Sequence, residues 1–143
     1  MKKSPILAGI AVMILTHPVG AQFAREGIPT VPNGIVSPFV GSWQVGFPQA
    51  DGGIIGAPLV TCEEPVILAD LTDNRLSHST SSGQSVSFEV FEFSNRTTWF
   101  PEAGESSVAV WTSPDEFLLY RVDMVTGQAH WDDPRSYRRC ERD

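Results

Sequence analysis

The side chains that could carry out acid–base or metal chemistry are few and lie near the end of the chain. His130 and Asp132 would share one face of an extended segment, where they could hold a metal ion or move a proton. His78 is the only other histidine after residue 21, so a full set of metal ligands would need distant carboxylates. The chain has no Gly-x-Ser-x-Gly motif of a hydrolase nucleophile. We therefore expect no catalytic residue, no metal and no cofactor, with an enzyme that uses His130 as an alternative.

The first 21 residues have the pattern of a secretory signal peptide. Lys2 and Lys3 precede an unbroken apolar run of ten residues, Ile6 to Leu15, and Ala21 ends a stretch of small residues. The run is about half as long as a helix that crosses a bilayer. We expect cleavage after Ala21, no membrane span, and a mature protein that is periplasmic or secreted.

The only two cysteines, Cys62 and Cys140, are predicted to form a disulfide. An exported chain meets oxidising conditions, and neither cysteine belongs to a Cys-x-x-Cys or Cys/His metal spacing. On the chain-entropy model, closing a loop of this length stabilises the fold by about 4 kcal/mol.

The net charge of the chain limits the kinds of partner that it is expected to bind. After signal cleavage, eight arginines face seventeen acidic residues, which gives a formal charge of −9. Nucleic acid is not an expected partner, because proteins that bind it carry a basic footprint. Arg135, Arg138, Arg139 and Arg142 form a local cluster. Such a cluster either makes salt bridges in a solvated tail or binds an anionic ligand or acidic partner through bidentate hydrogen bonds.

The elements that must position these side chains are short strands. Residues 22–38 contain three prolines and no strand periodicity, and they are predicted to be an extended leader. Residues 39–143 contain apolar runs with alternating polarity, separated by Gly, Pro, Asn and Asp. This pattern predicts one all-β domain, a small antiparallel barrel or sandwich of about eight strands. The apolar phase of the strands predicts a core of Phe39, Trp43, Val45, Val66, Leu68, Val86, Phe88, Val90, Val108, Val110, Trp111, Phe117 and Leu119.

The first predicted strand contains Gly41 and Trp43 within PFVGSWQVGF. This Gly-x-Trp pair resembles the first-strand motif of lipocalins and is similar to the first strand of small bacterial periplasmic inhibitor barrels. The resemblance implies that the glycine lets the chain bend at the barrel floor. It also implies that Trp43 closes that end while an arginine from late in the chain packs across the indole. The late Trp131 and the run PRSYRRC, taken with Gly-x-Trp, also resemble uncharacterised exported proteins of Gram-negative bacteria.

Arg138 and Arg139 are the candidates for that arginine, and they would point to opposite faces of an extended segment. We expect Arg138 to reach Trp43, because Tyr137 and Arg139 would then turn their polar tips toward solvent.

These observations favour binding over catalysis. We expect an exported barrel of the protease- or lysozyme-inhibitor type that binds a protein partner, with Trp43, Arg138 and Arg139 as candidate binding residues. This hypothesis predicts a filled interior and a presented segment, for which the leader 22–38 is a candidate. One alternative is a small-ligand carrier, whose lipocalin-like cavity would be an empty apolar pocket of a few hundred cubic ångströms. Another is an envelope interaction protein of unknown role that binds no ligand.

Overall fold

The computed structural model describes residues 22–49 and 59–141, together with Lys3, Pro5, Gly9 and Ala11. Apart from those four isolated positions, the predicted signal peptide 1–21 lies outside the described residues. A search of the described residues finds no helix with the length and apolar character needed to cross a membrane.

Eight antiparallel strands form a closed barrel in which each strand pairs with its neighbours in the chain and the last strand pairs with the first. A short 3-10 helix, Ser37–Phe39, precedes the first strand. The strands are β1 Gly41–Gly46, β2 Val66–Asp70, β3 Arg75–Ser79, β4 Ser85–Phe93, β5 Arg96–Pro101, β6 Ser107–Ser113, β7 Glu116–Arg121 and β8 Arg135–Arg139. The all-β prediction is confirmed, and of the two predicted architectures the chain adopts the barrel, which leaves no unpaired sheet edge.

The register between β1 and β8 decides which side chains enter the barrel. Trp43 pairs with Arg139, and Val45 pairs with Tyr137. Paired residues on antiparallel strands project to the same face of the sheet, and faces alternate along each strand. Because Trp43 is fully buried, Tyr137 and Arg139 also face inward, whereas Arg138 faces outward.

The predicted core is largely confirmed, with one error. Val86 faces inward beside His78 in the register, but it is 47 % exposed. It lies near the start of β4, at the end of the barrel opposite Trp43, and we name this end the open end because the described residues leave Val86 accessible there. Phe88 and Leu119 are half-buried and pack against the core. The other ten predicted residues are buried. Sequence reasoning missed several buried side chains, namely Val31, Val36, Leu76, Trp99, Ala109, Leu118, Tyr120 and Tyr137.

A second apolar cluster lies on the outer face of β6 and β7. Val108, Val110, Leu118 and Tyr120 are buried there. They are covered by the chain's own residues Phe23, Val122, Ala129 and Trp131. The connection between β7 and β8 therefore folds back over the outside of the barrel.

Residues 22–38, predicted as an extended leader, contain no strand and lie against the barrel. The backbone N–H groups of Gly27 and Ile28 donate to the carbonyl oxygens of Asn95 and Trp111, each at 3.0 Å. The leader's Val31 and Val36 are buried in the core, so this segment closes one end of the barrel.

The predicted disulfide is confirmed. Cys62 and Cys140 are bonded, with their Cα atoms 5.6 Å apart. The bond ties the segment between β1 and β2 to the end of β8. The backbone N–H of Cys140 also donates to the carbonyl of Ser42 at 2.8 Å, which holds the end of the chain against β1.

Candidate functional site

Trp43 lies at the closed end of the barrel and has no exposed surface. Its indole Nε1–H donates to the carbonyl oxygen of Phe39 at 2.8 Å, which satisfies the one polar atom of the side chain. Its ring packs against Phe117 at a centroid distance of 4.9 Å. The side chain is fully occupied by internal contacts, so it offers nothing to a ligand.

Arg139 is the arginine that packs across Trp43, with its guanidinium carbon 4.3 Å from the centre of the indole. Its Nη atoms donate to the carbonyl oxygens of Pro38 and Val40 at 2.9 and 2.8 Å, and its Nε donates to Asp115 at 2.9 Å. A single side chain thus joins the 3-10 helix, the start of β1 and the turn between β6 and β7. Arg139 therefore closes this end of the barrel.

The prediction that Arg138 would fill this role is wrong. It assumed that Tyr137 would turn its hydroxyl toward solvent, but the pairing with β1 places Tyr137 inside the barrel, where it is 6 % exposed. Arg138 consequently projects outward, and its Nε donates to the carboxylate of Glu116 on β7. Of the three candidate binding residues, Trp43 and Arg139 meet at the closed end, and Arg138 lies on the other face of the sheet.

Gly41 is required at this point by its backbone and by its neighbour. Its φ is +146°, a conformation that side chains disfavour. A Cβ atom there would lie 2.7 Å from Nη1 of Arg139. The Gly-x-Trp pair therefore works with Arg139 as one arrangement of three residues.

Aromatic rings fill the interior above the closed end. Phe117 lies at the centre of this packing, with centroid distances of 5.1 Å to Phe39, 4.9 Å to Trp43, 5.8 Å to Trp99, 5.0 Å to Trp111 and 4.8 Å to Tyr137. The indole N–H groups of Trp99 and Trp111 are buried and have no hydrogen-bond partner among the residues that the structure describes.

A polar pair lies further toward the open end. Nε2 of His78 and the hydroxyl of Tyr137 are 3.1 Å apart. Burial lowers the pKa of His78 and raises the pKa of Tyr137 to about 12. Both groups are therefore held in their neutral forms, which suits a position inside the barrel.

His130 lies outside the barrel, in the segment between β7 and β8, and does not meet His78. In the same segment, the carboxylate of Asp123 accepts the backbone N–H groups of Val125 and Thr126 at 2.8 and 2.9 Å. The N–H groups of Thr126 and Val125 hold the pKa of Asp123 below its usual range, and His130 adds a smaller effect. Asp123 thus shapes a turn. Within the described parts of the chain, no three His, Cys, Asp or Glu residues come together in a group that could hold a metal ion.

The outer face of β4 and β5 carries a group of exposed aromatic residues, which we name the phenylalanine patch. Phe91, Phe93 and Phe100 are 49 %, 70 % and 45 % exposed. The rings of Phe91 and Phe100 contact each other at a centroid distance of 5.6 Å. The sequence signals this patch only through a change of apolar phase within SVSFEVFEF, which brings Phe91 and Phe93 to the face opposite Phe88 and Val90.

The patch continues into a groove on the outside of the barrel, with a volume of about 420 Å³. One side of this outer groove is formed by Phe93, Thr98 and Phe100, and the other by the segment that ends in Ala129 and Trp131. Arg96 also lines it, with its guanidinium carbon 4.7 Å from the centre of the Trp131 ring. The groove combines apolar walls with one cationic side chain, a pairing that sequence spacing did not reveal.

Comparison of the chain with protein-family models, with curated proteins and with solved structures found no significant match. The function is therefore inferred from the contacts, burial and charges of this chain alone.

Proposed function

We propose that this chain is an exported protein-binding β-barrel of the inhibitor type, which holds a partner protein on the outer face of β4 and β5. The observation that carries the proposal is the phenylalanine patch, where three large aromatic side chains remain exposed. Soluble monomers rarely leave contiguous apolar surface uncovered unless it binds something, and aromatic residues are enriched at protein interfaces.

The contrast with the neighbouring strands supports this proposal. The apolar side chains on the outside of β6 and β7 are covered by Phe23 and Trp131 of the same chain. Within the described residues, those on the outside of β4 and β5 have no such cover and stay exposed. The fold therefore buries the outer apolar residues of β6 and β7 but leaves Phe91, Phe93 and Phe100 accessible.

The closed end supports the lipocalin-like and inhibitor-barrel resemblance within this proposal. The guanidinium of Arg139 over Trp43, together with the positive φ of Gly41, is the arrangement that the resemblance implies. The disulfide supports export to the periplasm or beyond, because such bonds persist in oxidising compartments. The leader is not the presented segment in this proposal, since Val31 and Val36 are buried.

Site-specific photo-crosslinking in the organism's own cells tests the proposal. The full chain is produced with a photoreactive phenylalanine analogue in place of Phe93. The matched control carries the analogue at Ser85, which is exposed on the same strand and the same face. We expect a protein adduct of one defined mass from position 93 and none from position 85. Equal adducts from both positions, or lipid adducts alone from position 93, would contradict a protein-binding patch.

A small-ligand carrier is the second candidate, because two observations favour it. The indole N–H groups of Trp99 and Trp111 are buried without an acceptor in the described part of the chain, and an enclosed ligand could accept them. Val86 faces inward yet is 47 % exposed, so the described residues leave this inward position accessible. Native mass spectrometry of protein purified from its own cells separates the two functions, because a carrier would retain a bound small molecule.

A further inference from the structure

We propose that the outer groove binds an apolar segment of the partner protein that carries an acidic side chain, and that Arg96 and Arg25 bind its carboxylate. This inference rests on the proposed protein-binding function and names the chemistry that the outer face recognises. It follows from the charge and contacts of three side chains that are far apart in the sequence, Arg25, Arg96 and Trp131.

The two arginines share one aromatic ring. The guanidinium carbons of Arg25 and Arg96 lie 5.4 and 4.7 Å from the centre of the Trp131 ring. Nε of Arg96 also donates to the carbonyl oxygen of Arg25, which fixes the orientation of the Arg96 side chain. Arg96 lines the outer groove, Arg25 lines the adjoining pocket, and Trp131 lines both. The two positive charges therefore both lie against the ring at which the groove and the pocket meet.

These two arginines differ from the others in the described part of the chain. Each of the other five arginines there forms an ion pair with a carboxylate, namely Arg75, Arg121, Arg135, Arg138 and Arg139. Arg25 and Arg96 have no carboxylate partner among the residues described, although Asp132 lies beside Arg25 in an adjoining pocket. In a chain with seventeen acidic residues, two arginines that contact the same ring and form no ion pair within the described residues favour a site for an external anion.

The apolar walls of the groove indicate the chemical character of the molecule that carries the anion. Phe93, Phe100, Val108 and Ala129 line the groove and present apolar surface. A ligand that fits must therefore bury apolar groups along the groove while its carboxylate meets the guanidinium groups. A charge-assisted bidentate pair with a half-buried arginine would fix the register of such a ligand.

The extent of the surface favours a protein segment over a small acid. The groove continues into the phenylalanine patch through Phe93 and Phe100, which belong to both. A small acid would fill the groove and leave Phe91 exposed, whereas an extended segment covers both regions. The carboxylate is assigned to a side chain within that segment.

Binding of peptide pools measured by fluorescence anisotropy tests this inference. The first pool has the form Gly-Ser-X-X-Asp-X-X-Ser-Gly, with X a mixture of Leu, Val, Phe and Met, an amidated C terminus and a rhodamine label. The second pool has Asn in place of Asp. The third has Asn and a free C-terminal carboxylate. We expect the wild-type protein to bind the Asp pool about tenfold more tightly than the Asn pool, the usual effect of one charge-assisted hydrogen-bonded pair.

Single-residue variants of the protein test whether the peptide carboxylate binds at Arg96 and Arg25. Arg96→Gln should bring the affinities for the Asp and Asn pools close together, and Arg25→Gln should reduce the difference without affecting folding, since Arg25 is exposed. Phe93→Ser should weaken binding of both pools. The matched control is Arg75→Gln, which removes an outer-face arginine that pairs with Glu102 and should leave the Asp preference unchanged.

Three results would overturn the inference: no binding of the Asp pool, equal binding of the Asp and Asn pools by the wild type, or an Asp preference that survives Arg96→Gln. Tighter binding of the third pool than of the first would assign the site to a C-terminal carboxylate and overturn the side-chain assignment. A protein adduct at position 93 without any Asp preference would retain the proposed function and reject this inference. If neither the protein adduct nor the Asp preference is found, the proposed function and this inference are both rejected.

Discussion

Replacing Arg139 with alanine should be among the most destabilising changes at any exposed or half-buried position of this barrel. The Arg139 side chain is only 10 % exposed. Its removal takes away the cation over the Trp43 ring and the donors to the carbonyl oxygens of Pro38 and Val40. The leader 22–38 would then lose the hydrogen bond between Pro38 and Arg139, which connects it to the end of β8.

The magnitude follows from those contacts. A cation–π contact contributes about 0.5–2 kcal/mol. Each hydrogen bond from a charged donor contributes about 1.5–3 kcal/mol, less where water replaces the lost donor. The ion pair with Asp115 adds little, because the Asp115 side chain is 74 % exposed. We expect a loss of about 3 kcal/mol in the free energy of unfolding.

Arg138→Ala is the matched control, since Arg138 is the adjacent arginine and pairs with Glu116 near the surface. Its loss should cost at most about 1 kcal/mol. Urea titrations of the disulfide-intact protein, followed by tryptophan fluorescence, measure both variants. With a slope of about 1.5 kcal/mol per molar urea, the midpoint should fall by about 2 M for Arg139→Ala and by less than about 0.7 M for Arg138→Ala. Equal or reversed shifts would refute the role of Arg139 and leave Trp43 as an ordinary core residue.

Three further changes have defined outcomes in the same urea titrations. Gly41→Ala should cost about 1–3 kcal/mol, because it places a Cβ against Arg139 at a strained φ; an unchanged midpoint would contradict this. Reduction of the Cys62–Cys140 bond should cost about 4 kcal/mol on the chain-entropy model, and a loss below about 1 kcal/mol would contradict it. Burial lowers the pKa of His78 below the ordinary 6.5, so the unfolded chain binds the proton first as the pH falls. The free energy of unfolding should therefore stay constant above pH 6.5 and fall as the pH drops from 6.5 to the pKa of His78 in the folded state. His78→Gln should remove this fall.

The sequence was sufficient for the strands whose two faces differ in polarity. In β1 the apolar residues alternate with Ser42 and Gln44, and the period of two shows which face is buried. It was insufficient for β5, where Trp99 is buried and Phe100 is exposed next to it. Apolar residues on both faces remove the alternation, so the RTTWFP segment lacks the period of two that indicates a half-buried strand.

The closing arginine shows a second kind of limit. Arg138 and Arg139 are adjacent and chemically identical, so local sequence could not rank them. The choice depends on the pairing of β8 with β1, which places Tyr137 and Arg139 on the inner face. The expectation of a solvent-facing tyrosine failed because the Tyr137 hydroxyl finds its partner inside the barrel, at His78.

The candidate site was the least predictable feature. Arg25 lies in the leader, Arg96 lies in β5, and Trp131 lies in the segment between β7 and β8. Only the closure of the barrel and the fold-back of that last segment bring them together. No spacing in the sequence encodes such a contact, whereas the disulfide could be predicted because only one pairing of two cysteines exists.

The central claim is that a partner protein binds the outside of the barrel and not its open end. The most direct measurement compares the affinity of the purified, crosslink-identified partner for two single variants, Phe93→Ser on the phenylalanine patch and Val86→Ser at the open end. Both side chains are about half exposed or more, so neither change should impair folding. The proposed function predicts at least about tenfold weaker binding for Phe93→Ser and wild-type binding for Val86→Ser. Weaker binding for Val86→Ser with wild-type binding for Phe93→Ser would contradict it and place the binding site at the open end.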